Sequence, residues 1–559
     1  MAKWHSVILH ARPSQSCQWG KARTMIELTG NSLTIEDVVA VARHGARVAP
    51  LSENVRDRMQ RSRDWVDAAL RQEGKLIYGV NTGFGSLATQ QIAADQARQL
   101  SRNVVLVCAC GVGRPLPAEI VRAMITIRVN MLAKGHSGVR PVVAQTLVDM
   151  LNAGVTPIVP SKGSLGASGD LAPLAHIAVV MTRDIACDVE DKDGGYSGQA
   201  WLGDERFNAA EIIPGAEAMA AAGIDRLILE AKEGLALTNG MDFMSAAGAV
   251  AVHDAENLLR HAEIAAALST EALLGLSAAF HPAIHATGGQ SGQQKTAGNI
   301  RKLIEGSRLV DSDSGRVQDA YSLRCIPQVL GPIRDVLAFL RQSFTVALNA
   351  ATDNPLIFLD LPDEPLGRAI SGGNFHGQGP AMWLDILGIA LAEAAGIAER
   401  RVFRLLTPEL SAGLPAMLVP TSGLDSGLMM VQYTAAALVS DNKTLAHPDS
   451  VDSIPSCANQ EDHVSMGANA ARHALEILDN VRHVIAIELL AAAQGIDLRP
   501  DGPAHLGRGT AAAYAAVRER VSFMVHDRAT TSDIEALADL IHSRELLEAV
   551  RDAVGIDFD

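Results

Sequence analysis

Ala167, Ser168 and Gly169 hold between them the atoms of a five-membered ring. Attack of the Gly169 amide nitrogen on the Ala167 carbonyl carbon, with loss of two waters, one of them carrying the Ser168 hydroxyl, gives an imidazolone bearing an exocyclic methylidene. The methylidene carbon, formerly the Ser168 Cβ, is an electrophile. Gly169 suits the step because, lacking a Cβ, its nitrogen can approach closely and its backbone can take unusual φ/ψ, while Ala167 leaves room for the ring. The tripeptide lies within Gly-Ser-Leu-Gly-Ala-Ser-Gly-Asp-Leu-Ala-Pro-Leu-Ala-His at 163–176. Asp170 there takes the N-cap position of a predicted helix whose first turn tolerates Pro173. A helix N-terminus beside the ring would favour negative charge on its carbonyl. Taken alone, the Ser-Gly pair reads as a turn; such pairs recur at Ser137-Gly138, Ser197-Gly198, Ser291-Gly292, Ser371-Gly372 and Ser422-Gly423.

The elements that must position these residues are mostly helical. Up to about residue 210, short helical patterns alternate with Gly-rich loops such as Tyr78-Gly-Val-Asn-Thr-Gly-Phe-Gly85. Those glycines do not make a phosphate loop, since no Lys-Ser/Thr follows and no strand-loop-helix context surrounds them. From about 220 to 495 the pattern turns to long helices. Ile333, Val336, Leu337, Leu340, Phe344 and Leu348 keep helical spacing until Asp353-Asn354-Pro355 stops the run. Segments 382–405 and 465–494 are similarly long, and several of their turns are apolar nearly all round, so other helices must cover them, within a bundle and across subunits. Ser532-Asp-Ile-Glu535 reads as a capping box opening a C-terminal helix. The expected division is a disordered extension over 1–24, a cofactor-bearing N-terminal region over 25–215, a central long-helix bundle over 216–500 and a C-terminal helical region over 501–559.

Composition narrows the partners. The 559 residues are 48% hydrophobic but only 4% aromatic, so Ala, Leu, Val and Ile fill the core, as in closely packed helices. A net charge of −15 with no concentrated basic stretch argues against nucleic acid. The longest uncharged stretch, 272–294, is broken by Pro282 and two histidines and does not read as a membrane span. Residues 1–24 lack the apolar centre of a secretory signal. Six cysteines without C-x-x-C spacing point to the cytoplasm rather than to disulfides or metal. No metal is expected: Glu461, Asp462 and His463 are consecutive and cannot all converge from one helix.

The fourteen-residue run resembles the signature of the ammonia-lyases that use 4-methylideneimidazol-5-one (MIO), and the further motifs match that family in order from about Met25 onward, nearest to its histidine ammonia-lyases. The resemblance implies a mainly α fold, an elongated long-helix bundle of the fumarase/aspartase-like superfamily with a loop-rich N-terminal cofactor region. It also implies a homotetramer whose active sites draw on several subunits. The cofactor would be MIO, formed autocatalytically from Ala167-Ser168-Gly169.

Eliminating ammonia from an α-amino acid requires an electrophile, a base beside the β-carbon and a cationic clamp on the carboxylate. Tyr78, which alone reads as a half-buried structural tyrosine, matches the family's base. With an ordinary phenol pKa of about 10, its site must favour phenolate. Arg324, alone a structural ion-pair partner, matches the carboxylate clamp, for which a planar guanidinium is suited. In the same motif, Val317-Gln-Asp-Ala-Tyr-Ser-Leu-Arg-Cys325, Gln318 would contact the cofactor and Tyr321 would bring a second hydroxyl to the reacting carbon. Asn239, alone a turn residue before Gly240, matches the asparagine that bonds cofactor or substrate. Phe375, in Ser371-Gly-Gly-Asn-Phe-His376, resembles the aromatic packed on the ring, with His376 structural. Glu461, in Asn459-Gln-Glu-Asp-His-Val-Ser-Met466, stands where histidine lyases have glutamate and many phenylalanine or tyrosine lyases have glutamine, and so suits imidazole.

The likeness fails at one pair. Val107-Cys108 occupies the substrate-selecting positions, where histidine lyases usually carry Ser-His, tyrosine lyases His-Leu and plant phenylalanine lyases Phe-Leu. Replacing histidine by cysteine removes an imidazole partner and leaves a larger, less polar pocket. Elimination of ammonia from histidine, giving urocanate, is the favoured reading. A phenylalanine or tyrosine ammonia-lyase or a 2,3-aminomutase uses the same motifs. A fumarase-type lyase would need a Gly-Ser-Ser-x-Met-Pro loop, which is absent, and a non-catalytic helical scaffold would keep the fold without the ring.

Overall fold

The computed structural model describes residues 25–71, 76–184, 196–203, 211–313, 315–364 and 366–555. The expected extension at 1–24 lies outside them, as do Cys17 and Cys187. Before residue 240 the described helices run to 18 residues at most, in Glu53–Leu70, and include α1 (Ile35–Arg43), α2 (Ala97–Cys108), α3 (Ala118–Ala133), α4 (Leu171–Met181) and α5 (Glu233–Thr238). A capping box starts α1, with the Thr34 hydroxyl accepting the Asp37 amide at 3.0 Å and the Asp37 carboxylate accepting the Thr34 amide at 3.2 Å.

Four long helices then carry the core: α6 (Asp242–Ala272), α7 (Ile326–Ala347), α8 (Gln378–Leu406) and α9 (Gly467–Asp497). Alanines let them approach closely. Ala381, Ala394, Ala395 and Ala398 of α8 and Ala468, Ala471 and Ala474 of α9 are all buried, and this pair makes the most extensive helix contact. Register is fixed by charge as well. Arg401 of α8 pairs with Glu488 of α9 at 2.5 Å, both side chains fully buried, and the Ser269 hydroxyl of α6 donates to the same carboxylate at 2.7 Å. Breaking such a pair strands a charge in the core, which costs about 3–5 kcal/mol. By length and composition α8 could cross a membrane, but it packs against α6, α7 and α9.

Strands are short and local. Val112–Pro115 runs antiparallel to Pro160–Lys162, with Val112 opposite Lys162, and this pairing anchors the chain just before the 163–176 run. A three-stranded antiparallel sheet orders Val155–Pro157, Gln199–Leu202 and Ile212–Pro214, and Leu356–Phe358 pairs with Arg368–Ile370.

Two helix starts differ from expectation. Asp170 does precede α4, but at φ −97°, ψ 54° its carboxylate does not cap that helix; it accepts the Met244 amide at 3.1 Å, in the first turn of α6. The helix Thr531–His542, second from last among the described residues, opens one residue before Ser532, so the Ser532/Glu535 box does not form. Its N-cap, Thr530, has α-type rather than extended dihedrals and its hydroxyl makes no capping bond, while Asp533 in the first turn pairs with Arg528 at 3.0 Å.

Candidate active site

The 163–176 loop is held from three sides. Its Ser168 carbonyl accepts the Asn239 side-chain amide at 2.7 Å and the Gly240 amide at 3.4 Å. The Asp170 amide returns a bond to the Gly240 carbonyl at 2.6 Å, so 168–170 and 239–240 lie side by side. From a third direction the Ser465 hydroxyl donates to the Gly166 carbonyl at 3.1 Å, and the Met466 amide to the Leu165 carbonyl at 2.8 Å. Gly169 has φ 77°, the left-handed region that glycine adopts without a Cβ penalty.

Ser168 points outward into a cleft of about 720 Å³ walled by Tyr78, Phe375, His376, Glu461 and Asn354, among others. Its hydroxyl donates to Glu461 Oε1 at 2.7 Å, and the Ser456 hydroxyl donates to Oε2 at 2.7 Å. Glu461 is brought there by a tight turn in which Cys457, Ala458 and Asn459 take φ of 51°, 52° and 67°. Three successive non-glycine residues in that region store backbone strain, and the reciprocal Ser456–Glu461 main-chain bonds at 3.0 and 3.3 Å hold it. Because this segment is a loop and not a helix, Glu461, Asp462 and His463 all reach the cleft, contrary to the geometric objection raised from the sequence. His463 stacks on His376, rings 5.7 Å apart and 8° from parallel.

Tyr78 also lines the cleft, with its ring edge-on to Phe84, and its hydroxyl accepts the Gly85 amide at 3.1 Å. Burial raises its pKa, and that amide bond pulls the other way by favouring phenolate. Asp170, fully buried behind the loop, is pushed up to about 7 by desolvation. Asn239 leaves its own Oδ1 buried and without a partner, beside a backbone expected to change chemically.

The other expected residues are placed elsewhere. Gln318, Tyr321 and Arg324 do not line the cleft. They cluster on the surface, with Tyr321 70% exposed, Arg324 stacked 4.6 Å above its ring and the guanidinium bonded to Gln318 Oε1. Val107 and Cys108, at the C-terminal end of α2, are not cleft walls either. Val107 is 72% exposed, while Cys108 is partly buried, with its thiol raised to about 11 by desolvation and, to a lesser degree, by the nearby charges of Cys110 and Glu461. The sequence reading missed Asn354, Ser456 and Gly240. Asn354 and Ser456 carry no signal beyond turn composition. Gly240 directly follows Asn239, so the close backbone approach could have been suspected.

Residues 33–519 match the aromatic amino acid lyase profile. The chain is 50% identical to the histidine ammonia-lyase of Symbiobacterium thermophilum, over 94% of this chain and 98% of that protein. Among solved structures it resembles the histidine ammonia-lyase of Trypanosoma cruzi, with TM-score 0.84 and 38% identity over 95% of this chain and 96% of that one. It also resembles the tyrosine aminomutase of Streptomyces globisporus, with TM-score 0.86 and 35% identity over 96% of this chain and all of that one. With a match that spans most of its length, and with a Ser168-centred cleft on a long-helix bundle, the chain belongs to the aromatic amino acid lyase family.

Proposed function

We propose that this protein is an ammonia-lyase that converts L-histidine to urocanate. The observation that carries the reading is the convergence of Glu461 and Asn239 on Ser168, one on its hydroxyl and the other on its carbonyl. Full-length identity near one half to a histidine ammonia-lyase supports the substrate.

The cofactor is MIO, built from Ala167, Ser168 and Gly169. The local structure fits it: a glycine in the left-handed region at the attacking nitrogen, two N–H donors on the carbonyl that becomes the ring's, and a free Asn239 oxygen beside it. Once formed, the group supplies the electrophilic carbon. Tyr78, as phenolate, takes the β-proton, with the Gly85 amide stabilising the anion. Glu461 accepts an imidazole N–H, a charge-assisted bond, and Phe375 confines the reacting end of the substrate.

Arg324 clamps the substrate carboxylate, and Gln318 and Tyr321 complete the pocket. They do so from a neighbouring subunit of a homotetramer, which explains why a surface cluster keeps Tyr321 and the adjoining Val317 exposed in the single chain, at 70% and 93%. The four described cysteines are free thiols, which suits the cytoplasm.

The test is direct. A panel of amino acids is assayed for ammonia release and for acrylate absorbance, and the protein is scanned for a near-ultraviolet band lost on borohydride treatment. Urocanate from histidine together with that band is the expected result. Absence of the band in mature protein overturns the reading. A second reading, a 2,3-aminomutase, is favoured by the likeness to tyrosine aminomutase; a β-amino acid product without net ammonia would select it.

A further inference from the structure

Behind the tripeptide two glycines meet face to face. A Cβ on Gly169 would overlap the Gly240 carbonyl. Gly240 cannot retreat, because on its other side a Cβ would meet Thr352 Oγ1 at 2.7 Å, Arg128 Nη2 at 2.8 Å and Asp242 Oδ2 at 2.9 Å. The backbone of Gly240 is therefore pressed between the tripeptide and a buried ion pair.

That pair is tightly tied. Arg128, from the buried helix α3, is 2% exposed; its Nη1 donates to the carbonyls of Ala236 at 2.9 Å and Asn239 at 2.8 Å, and its Nη2 meets Asp242 Oδ2 at 2.5 Å. One guanidinium thus grips residues on both sides of Gly240, including the asparagine that holds the Ser168 carbonyl. Neither Arg128 nor Asp242 lines the cleft, so neither is placed to touch substrate. Arg128 Nε and Asp242 Oδ1 are nonetheless buried without a partner, so the pair is costly to bury and a hydrophobic side chain would fill this space at lower cost. The arrangement suits a rigid backing.

We propose that Arg128 and Asp242 are positioning residues for closure of the ring, bracing Gly240 so that the 167–169 backbone, with Gly169 in the left-handed region, cannot relax away from the bend that attack of Gly169 N on the Ala167 carbonyl carbon requires. The inference rests on the ring-bearing reading above. The chemistry balances without an oxidant. A bond forms from Gly169 N to the Ala167 carbonyl carbon, and that carbonyl oxygen leaves as water with the amide hydrogens of Gly169 and Ser168. The second water takes the Ser168 hydroxyl and its α-hydrogen, leaving the exocyclic double bond. A brace matters because an intramolecular attack gains its rate from a held geometry, and misplacement by about 1 Å costs on the order of 10²-fold.

The full-length chain is synthesised in a cell-free extract, and the mass of its tryptic peptide 163–183, bounded by Lys162 and Arg183, is followed over time. Circular dichroism and thermal melting report folding in parallel. The wild-type peptide becomes lighter by two waters, whereas in folded Arg128→Met the same loss is slower by about 10²-fold. Folded Arg128→Met that loses both waters at the wild-type rate overturns the proposal. Where Arg128→Met does not fold, Asp242→Asn, which keeps the shape and removes the charge, decides: delayed loss supports the brace and wild-type timing in a folded chain overturns it. A wild-type peptide that keeps both waters is a different result, because it removes the ring-bearing reading itself.

Discussion

The tripeptide and the Gln318–Arg324 segment make opposite use of the same protomer. Ala167 is buried, Ser168 is tied by its hydroxyl and its carbonyl to residues far along the chain, and the wall behind is a buried ion pair. Tyr321 and Arg324, by contrast, satisfy each other on the surface through stacking. One region is tied within a single chain, and the other leaves Tyr321 and Val317 open on the surface. On the proposed function, folding of the single chain and assembly of the active site are separate events, the first making the electrophile and the second supplying the carboxylate clamp.

Ser168→Ala breaks the first region outright. Turnover should fall to background, with the near-ultraviolet band absent and the melting temperature close to wild type; retained turnover would remove the distinction altogether. Tyr78→Phe should lower kcat by about 10²–10⁴-fold, the usual range for losing a general base. Because burial raises the Tyr78 pKa, its phenolate fraction grows as pH rises. Wild-type kcat/KM should therefore climb on the alkaline side and the phenylalanine variant should lose that limb.

The second region is tested by mixing. Arg324→Met alone should cost about 10- to 10²-fold in kcat/KM, the worth of charged hydrogen bonds. Chains carrying Arg324→Met and chains carrying Ser168→Ala, unfolded and reassembled together, should regain roughly a quarter of wild-type turnover if each site draws these residues from two different subunits of a symmetric assembly. No recovery would place both groups in one chain's site. The smallest effect concerns selectivity. Cys108→His should raise the kcat/KM ratio of histidine over phenylalanine by about tenfold, the value of one hydrogen bond near 1.4 kcal/mol, and an unchanged ratio would detach Cys108 from the substrate.

Long helices are readable from sequence because their apolar positions repeat with the helix period over many turns, and α7, α8 and α9 fall where that spacing places them. The residues at Ser168, Tyr78, Phe375 and Glu461 are readable for another reason, since each sits in a motif that resembles one of the family's, whereas composition alone makes Tyr78 a structural tyrosine. What the sequence hides is charge in the interior. Arg128 lies in a helix and Asp242 opens one, and an arginine or aspartate there looks like any solvated side chain until the fold buries it. Asp170 illustrates a related blindness: its position at a helix start is local information, but the amide its carboxylate binds belongs to the helix that begins 72 positions later, at Asp242. The helix assumed for 461–463 fails because consecutive residues can share one cavity when the backbone is coiled left-handed just before them.

Ser168 and Asn239 stand 71 residues apart and meet only when the second helical stretch has packed against the first. A ribosome-bound chain that ends before Asn239 therefore lacks both donors to the Ser168 carbonyl, and on the proposed reading a truncated product would be born chemically inert. If the ring forms as proposed, competence arrives with tertiary structure, and the modified peptide would be a permanent record, written in mass, of how many molecules in a preparation ever folded.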